Sequence, residues 1–233
     1  MNTIMTFLFE KVRKRIPINL GLSRPLKLLV LNMLLGALGC SAQKFDSKSL
    51  FDGTTLNGWE TVNEENAKYW SVKDSAIVGG DGITNIPVNT YLHTMEKYGD
   101  FEFRCLFRIT GNHDKGLINS GIQYRSVIED GKIVGYQADI GKGYWGDIYD
   151  EHRRALLNYG DLNTVKHLLD EDGWNSYIIR CQGNLHELYI NGVKVNEYLE
   201  EDTDIPSKGV IGLQLHKGGN AQVVFKHIVI ESL

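Results

Sequence analysis

Short segments of alternating apolar and polar residues recur along the chain from Leu50 onward, separated by Gly, Asn and Asp. Segments of this length and alternation are typical of half-buried β-strands. Nine of them stand out: WSVKD, SAIVGG, FEFRCLFRI, SGIQYRS, IVGYQADIG, NSYIIRCQG, LHELYINGVKV, GVIGLQLH and AQVVFKHIVI. The dipeptide Asn191-Gly192 lies between two alternating runs, which predicts a two-residue hairpin turn. The pattern therefore predicts an all-β protein.

Helical periodicity is weak, and it predicts only about two turns in each of residues 150–157 and 163–169. A stretch of about 190 residues rich in short strands is large for an immunoglobulin domain. It suits a two-sheet jelly-roll sandwich of the concanavalin A-like lectin and glucanase type. No repeat or linker interrupts the pattern. We therefore predict one jelly-roll domain over residues 49–233, preceded by a short lead-in at residues 43–48.

The first 42 residues have a different composition from the rest. Basic residues come first, an apolar run follows over residues 28–38, and small residues occupy positions 39–42. This order is typical of an export signal, and the run is short for a membrane span, although a retained anchor is the alternative. Cleavage after Ala42 and lipidation of Cys40 both give an exported product. We expect a periplasmic protein, or a lipoprotein anchored to the membrane, of a Gram-negative bacterium.

The charge balance argues against nucleic acid as a partner. Six of the 25 basic residues and one of the 29 acidic residues lie within residues 1–42, so the remaining chain carries 19 and 28, a net charge of −9. Binding to a phosphate backbone needs the opposite balance. An anionic membrane surface is disfavoured for the same reason.

Two cysteines remain after the predicted signal, Cys105 and Cys181. They could pair in an oxidising compartment. Cys105 falls on the apolar side of its strand pattern, so a buried free thiol is the alternative. Their spacing matches no metal-binding cysteine motif.

Alternation also shows which polar residues face away from the core. On four strands the outward positions hold polar side chains, most of them planar donors and acceptors: Glu102, Arg104 and Arg108, Gln123 and Arg125, Gln137 and Asp139, Gln214 and His216. Such groups suit hydrogen bonding to sugar hydroxyls or to a carboxylate. If these four strands share one sheet, their outward side chains line a groove. The alternative is that each strand simply exposes its polar face to water.

The segment GKGYWGDIYDEHRR, residues 141–154, follows the second of these strands. Its glycines permit a tight turn, and its aromatic residues offer flat surfaces for stacking against sugar rings. Its carboxylates Asp147, Asp150 and Glu151 do not have the spacing of a calcium loop such as the EF-hand. We predict no cofactor, with Ca²⁺ left open by the carboxylates. The alternative is a solvated loop with acidic residues at the start of a helix.

Several motifs occur together in one order: SLFDGTTLNGWE, YGDFEFRCLFRI, NSGIQYRS, GYQADIG with YWGDIYDEHRR, WNSYIIRCQG with INGVKV, and GVIGLQLHKGG with VVFKHIVI. Over residues 49–233 the chain resembles the 3-keto-disaccharide hydrolase domain family. The resemblance implies a concanavalin A-like jelly roll and cleavage of 3-keto-glycosides by hydrolysis or elimination. The paired-carboxylate motif of laminarinase-type jelly rolls is absent, which disfavours an ordinary double-displacement glucanase.

The resemblance also implies which positions form the site: Arg125, Gln137, Asp139, Tyr149, Asp150, Glu151, Gln214 and His216. A 3-keto group acidifies the hydrogen on C2, so the site needs a base, donors for an enolate oxygen and an acid. We expect Asp139 as the base, Arg125 at the enolate oxygen, and His216 as acid or orienting partner, with Glu151 as the alternative acid or base. A purely structural histidine is the alternative for His216.

The other expected contacts are with the saccharide substrate. Hydroxyl-binding residues are expected at Gln123, Gln137, Asp150 and Gln214, and a stacking wall at Tyr144, Trp145 and Tyr149. The same fold and groove would also serve a carbohydrate-binding module without turnover. A structural cell-surface domain, the third alternative, would need no groove.

Overall fold

The computed structural model describes residues 47–171 and 173–233. The predicted export signal, Cys40 and most of the predicted lead-in lie outside the described residues. The described part is a sandwich of two antiparallel sheets, so the prediction of an all-β jelly roll is confirmed. Among these residues, no helix is long and apolar enough to cross a membrane.

The strands of the described residues are β1 (Ser47–Ser49), β2 (Trp59–Thr61), β3 (Trp70–Lys73), β4 (Ala76–Gly79), β5 (Thr90–Thr94), β6 (Phe101–Thr110), β7 (Asn119–Glu129), β8 (Lys132–Gly141), β9 (Ile148–Glu151), β10 (Ala155–Asn158), β11 (Asn175–Gln182), β12 (Leu185–Ile190), β13 (Val193–Leu199), β14 (Val210–Leu215) and β15 (Gln222–Ser232). Two 3-10 turns, Glu64–Tyr69 and His113–Lys115, and the one-turn helix α1 (Leu162–Val165) connect them.

One sheet, here the back sheet, has the order β13-β12-β11-β6-β15-β4-β3, with β1 paired to β15. The other, here the front sheet, has the order β10-β9-β8-β7-β14-β5-β2. Alternate residues of both sheets meet in one apolar core, for example Phe103 and Phe107 from the back sheet and Ile122 and Leu213 from the front sheet. The remaining parity of the front sheet therefore faces outward, away from the core.

The hairpin predicted at Asn191-Gly192 joins β12 to β13. Ile190 pairs with Val193, and both turn residues have positive φ, 50° and 80°. Positive φ at both central positions is the backbone of a type I′ turn, for which Asn-Gly is the preferred sequence. A local signal was sufficient here because the turn geometry is set by its own two residues.

The helix predicted over residues 150–157 is wrong. This segment contains the antiparallel strands β9 and β10, joined by a turn at His152–Arg154. Pairing of β9 with β8 overrides the weak helical spacing, because the sheet satisfies the backbone groups of the segment. As a result Asp150 and Glu151 lie on opposite faces of the front sheet. The second predicted helix is shortened to α1.

Cys105 and Cys181 are buried and free. Both side chains point into the core from neighbouring strands, but Cys105 pairs with Tyr177 and Cys181 pairs with Phe101. The two cysteines are thus four residues apart along the strand direction, roughly 13 Å. A disulfide requires Cα atoms within about 7 Å, so the register leaves them as two separate thiols.

Candidate functional site

A groove of about 380 Å³ lies on the outer face of the front sheet. Strands β8, β9 and β14 supply its floor, and the β8–β9 loop and β10 supply one wall. The structure brings together seven of the predicted site residues in this groove: Gln137, Asp139, Tyr144, Tyr149, Glu151, Gln214 and His216. The grouping predicted from alternation is correct only in part. Strands β7, β8 and β14 share the front sheet, but β6 lies in the back sheet, and Gln123 and Arg125 of β7 do not line the groove.

Asp139 lies at the floor of the groove and is 6% exposed. Its Oδ1 accepts a hydrogen bond of 2.5 Å from Gln137 Nε2. Desolvation raises the pKa of Asp139 to about 8, with smaller contributions from the nearby carboxylates of Asp147 and Glu151, and the Gln137 hydrogen bond opposes this rise. A carboxyl group with this pKa is a stronger base, once ionised, than an ordinary aspartate.

A buried hydrogen-bond chain orients Gln137. Ser126 Oγ donates to Gln123 Oε1 at 2.9 Å, and Gln123 Nε2 donates to Gln137 Oε1 at 2.7 Å. Since each amide oxygen is occupied, Gln137 must present its NH₂ group to Asp139. The prediction that Gln123 contacts substrate is wrong. Its side chain is buried beneath the groove, and both of its polar atoms are hydrogen-bonded to Ser126 and Gln137.

The front sheet makes room for these glutamines with two glycines. Gly121 pairs with Asp139 across β7 and β8, and a Cβ at Gly121 would lie 2.5 Å from Gln137 Cδ. Gly212 pairs with Gln123, and a Cβ there would lie 3.1 Å from the Gln123 Cβ. The absence of side chains at these positions allows Gln137 to lie flat across β7.

Glu151 lines the same groove, and its side chain is nearly buried. Its Oε1 lies 3.6 Å from His152 Nε2. Burial raises the pKa of the neighbouring Tyr91 well above its usual range, with the charge of Glu151 as the second cause. Tyr91 therefore keeps its proton and can donate to a carboxylate.

Asp147, which the sequence offered only as a loop carboxylate, also lines the groove. Burial raises its pKa, while the hydrogen bond from Gly160 N at 2.7 Å lowers it. Three carboxyl groups therefore face one groove. Among the described residues, however, no three His, Cys, Asp or Glu side chains form a cluster that could hold a metal ion.

His216 stands at the rim, immediately after β14. Its Nδ1 is 2.6 Å from the carbonyl oxygen of Lys217. A carbonyl can only accept, so Nδ1 carries the proton and Nε2 of the neutral ring is the acceptor. The contact fixes the tautomer and leaves Nε2 free to exchange a proton.

Gln214 Oε1 is buried and has no hydrogen-bond partner among the described residues. Its Nε2 donates to the hydroxyl of Tyr91 at 3.2 Å, and the residue lines the groove. A buried acceptor without a partner is costly. A hydroxyl group of a ligand would satisfy it, which fits the prediction that Gln214 binds substrate.

The rim of the groove is more apolar than the sequence predicted. Tyr144 is 42% exposed, as expected for a stacking residue, and Tyr149 also lines the groove. Tyr159, 72% exposed, and the neighbouring Leu156 join them from β10 and the segment after it. The sequence did not predict Leu156 and Tyr159 as groove residues. The helical spacing of residues 150–157 hides the strand alternation that puts Leu156 beside Tyr149.

Arg125 does not reach the groove, so its predicted role at the enolate oxygen is wrong. The residue has a φ of 46° at a register shift in β7, and this bulge turns its side chain inward between the sheets. There the guanidinium donates to the carbonyls of Gly99 and Gly183 and to Asp100, and contacts His186 Nε2. Arg125 and its partners Asp100, Gly183 and His186 line a different cavity.

Asp150 and Trp145 are also excluded from the groove. Asp150 faces the inner side of β9, is fully buried, and accepts hydrogen bonds from Arg153 and Arg154. Trp145 is buried against Phe107, with ring centroids 6.2 Å apart, so it packs in the core and offers no stacking surface. Both errors arise because sequence proximity to Glu151 and Tyr144 does not fix the face on which a side chain lies.

A family model described as a 3-keto-alpha-glucoside-1,2-lyase-like domain matches residues 46–231. No curated protein matches the chain in sequence. The match extends over both sheets, and it includes every residue of the groove.

Solved structures share the fold. A protein of Parabacteroides distasonis, provisionally described as a glycosyl hydrolase, has a TM-score of 0.60 at 21% identity over 80% of this chain and 94% of that one. The carbohydrate-binding module CBM66 of Bacillus subtilis has a TM-score of 0.56 at 18% identity over 77% and 98%. The β-glucanase of Bacillus licheniformis has 0.51 at 14% identity over 82% and 100%. These likenesses confirm the concanavalin A-like sandwich.

Proposed function

Since the chain belongs to the 3-keto-alpha-glucoside-1,2-lyase-like domain family, we propose that it is an enzyme that cleaves the glycosidic bond of a 3-keto-glycoside. Family membership gives it a carbohydrate-active role. The 3-keto substrate, the residues that act on it and export from the cytoplasm are our proposals. These proposals are based on the groove of the front sheet and on the sequence of residues 1–42.

In the first step the ionised carboxylate of Asp139 removes the proton from C2. The electron pair moves into the C2–C3 bond, and the 3-keto oxygen becomes an enolate. Because Arg125 is held elsewhere, the groove residues Asn119 and Tyr149 are the donors assigned to this oxygen. Donors already in place where charge develops lower the barrier without reorganisation.

In the second step the enolate reforms the ketone and expels the aglycone from C1. The departing oxygen takes a proton from His216 in its imidazolium form, in which Nε2 also carries a proton, or from Glu151 in its acid form. The product is an enone with a C1–C2 double bond. Addition of water at C1 and return of a proton to C2 complete a net hydrolysis. If water does not add, the same steps end as a lyase reaction.

The raised pKa of Asp139, on a side chain that lines a polar groove, carries this proposal. A carbohydrate-binding module would need the groove but would gain nothing from a buried carboxyl group with one hydrogen bond, which costs folding free energy. His216 Nε2, which makes no hydrogen bond with any described residue, also favours proton transfer at the same groove.

The test is turnover of a chromogenic 3-keto-glucoside beside the unoxidised glucoside, with Asp139→Asn as the variant. We expect turnover of the keto substrate alone, and a loss of at least about a hundredfold in the variant, the range of a general base. Since the base must be ionised, kcat/KM should rise with pH up to about 8. Binding of both sugars without turnover would instead favour the carbohydrate-binding module.

A further inference from the structure

A second cavity of about 270 Å³ adjoins the groove on the outer face of the front sheet. Asn89 lines both cavities, so they meet at its side chain. In two pairs of consecutive residues, one residue lines the groove and the other lines the second cavity. Glu151 and His216 line the groove, whereas His152 and Lys217 line the second cavity. We name the groove the acidic half and the second cavity the basic half.

The two halves carry opposite charge. The acidic half holds three carboxyl groups, those of Asp139, Asp147 and Glu151. The residues lining the basic half include Lys132, Lys217 and His152 and no carboxylate. Within the described residues neither lysine forms an ion pair. In a chain with more acidic than basic residues, two uncompensated lysines at one cavity are a distinct feature.

Hydrogen bonds fix the frame of the basic half. Asn89 Oδ1 accepts from the backbone N–H of Lys217 at 2.9 Å, and Asn89 Nδ2 donates to the Tyr91 hydroxyl at 3.3 Å. His152 Nδ1 donates to the carbonyl of Ile133 at 2.7 Å. Glu151 Oε1 lies 3.6 Å from His152 Nε2, on the border with the acidic half.

We propose that the basic half binds an anionic substituent, the carboxylate of a uronic acid or a sulfate ester, on a sugar unit of the substrate. The position of the scissile bond over Asp139 rests on the proposed function, whereas the anion site does not. An anionic sugar is attracted by Lys132 and Lys217 of the basic half, whereas the residues that line the acidic half include no lysine or arginine. Charge therefore selects one orientation of the substrate along the groove.

The test uses unoxidised disaccharides, so that no turnover is needed. Cellobiose, cellobiouronic acid and cellobiose bearing a C6 sulfate are titrated into the whole protein by calorimetry at low salt, with a maltose series as the α-linked arm. We expect at least one acidic sugar to bind about tenfold more tightly than its neutral parent, and the advantage to shrink at high salt. The carboxylate and sulfate arms identify which oxyanion is preferred.

Variants locate the effect. Lys132→Gln combined with Lys217→Gln should abolish the preference while binding of the neutral sugar is unchanged. The pair Lys132→Arg with Lys217→Arg should retain it. Lys73→Gln, an exposed lysine on β3 of the back sheet, is the matched control. In NMR titrations the ring resonances of His152 should move with the acidic sugars and not with the neutral ones.

Equal affinity for acidic and neutral sugars, or a preference that survives the double Lys→Gln variant, would overturn the proposal. Failure of the proposed function is a separate result. It would show as no turnover of any 3-keto-glycoside while the charge preference in binding persists.

Discussion

At the scale of single residues, Asp139 combines burial with one hydrogen bond, and this combination must cost stability. Its pKa is raised to about 8 in the folded protein, chiefly by desolvation. In the unfolded chain the same carboxyl group ionises near its ordinary value of about 3.9. The folded state therefore holds a proton that the unfolded state releases over the intervening pH range.

The sign of the effect on folding follows from linkage. The stabilisation from the bound proton is complete below pH 4 and is lost as the pH rises to about 8. We expect Asp139→Asn to have about the same free energy of unfolding as wild type at pH 4. Above pH 4, the free energy of unfolding of the variant should exceed that of wild type by up to about 1.4 kcal/mol for each pH unit. The difference should not increase further beyond pH 8.

Urea denaturation from pH 4 to pH 9 measures this difference. Asp204→Asn, at an exposed position, is the control and should show no such trend. A constant difference between Asp139→Asn and wild type across the range would show that Asp139 titrates normally.

Alternation was enough to place Gln137, Asp139 and Gln214 in the groove from the sequence, because they lie in regularly paired parts of β8 and β14. Arg125 could not be placed, because a left-handed φ at an arginine leaves no signal in the sequence and shifts the face of everything near it. Asp150 was misplaced for a different reason. Its segment has a helical spacing, and only pairing with β8 makes it a strand.

At the scale of elements, the packing of the Gln137 side chain of β8 across β7 depends on Gly121. Gly121→Ala places a methyl group where Gln137 now lies, and the flexible side chain must move away. Asp139 then loses the hydrogen bond that lowers its pKa. On the proposed function, the acid limb of the kcat/KM profile should move to higher pH. At pH 7, kcat/KM should fall roughly tenfold for each pH unit by which the limb moves.

The measurement is the pH profile, because simple unfolding would lower kcat/KM without moving its limb. Gly99→Ala is the control, since a Cβ at that position meets only the Ser207 carbonyl, at 4.0 Å. A limb that stays in place in Gly121→Ala would mean that Gln137 does not tune Asp139.

At the scale of the whole molecule, the two sheets are held together by packing, without a covalent link between the cysteines of the described domain. We expect the midpoint of thermal unfolding to be the same with and without a reducing agent, for protein produced under oxidising conditions. A fall of several degrees on reduction would reveal a disulfide that the strand register does not permit.

The whole architecture was predictable because it rests on many short strands that agree with one another. The errors at Arg125 and in the segment around Asp150 are local, whereas the two-layer arrangement depends on the average over all strands. The shape of the groove was less predictable from the sequence. Its depth comes from loops and from Tyr159 and Leu156, whose positions follow from the closed fold and not from their neighbours in sequence.

Strand β1 pairs with β15, so that Ser47 lies beside Glu231. The first and last strands of the described domain are thus antiparallel neighbours in the back sheet, and the groove is on the far side of the front sheet. A short linker could join these two strands, and new termini could be opened at the Asn191-Gly192 turn, to give a circular permutant with the same sheets. A surface attachment made beside β1 or β15 would likewise leave the groove open to solution.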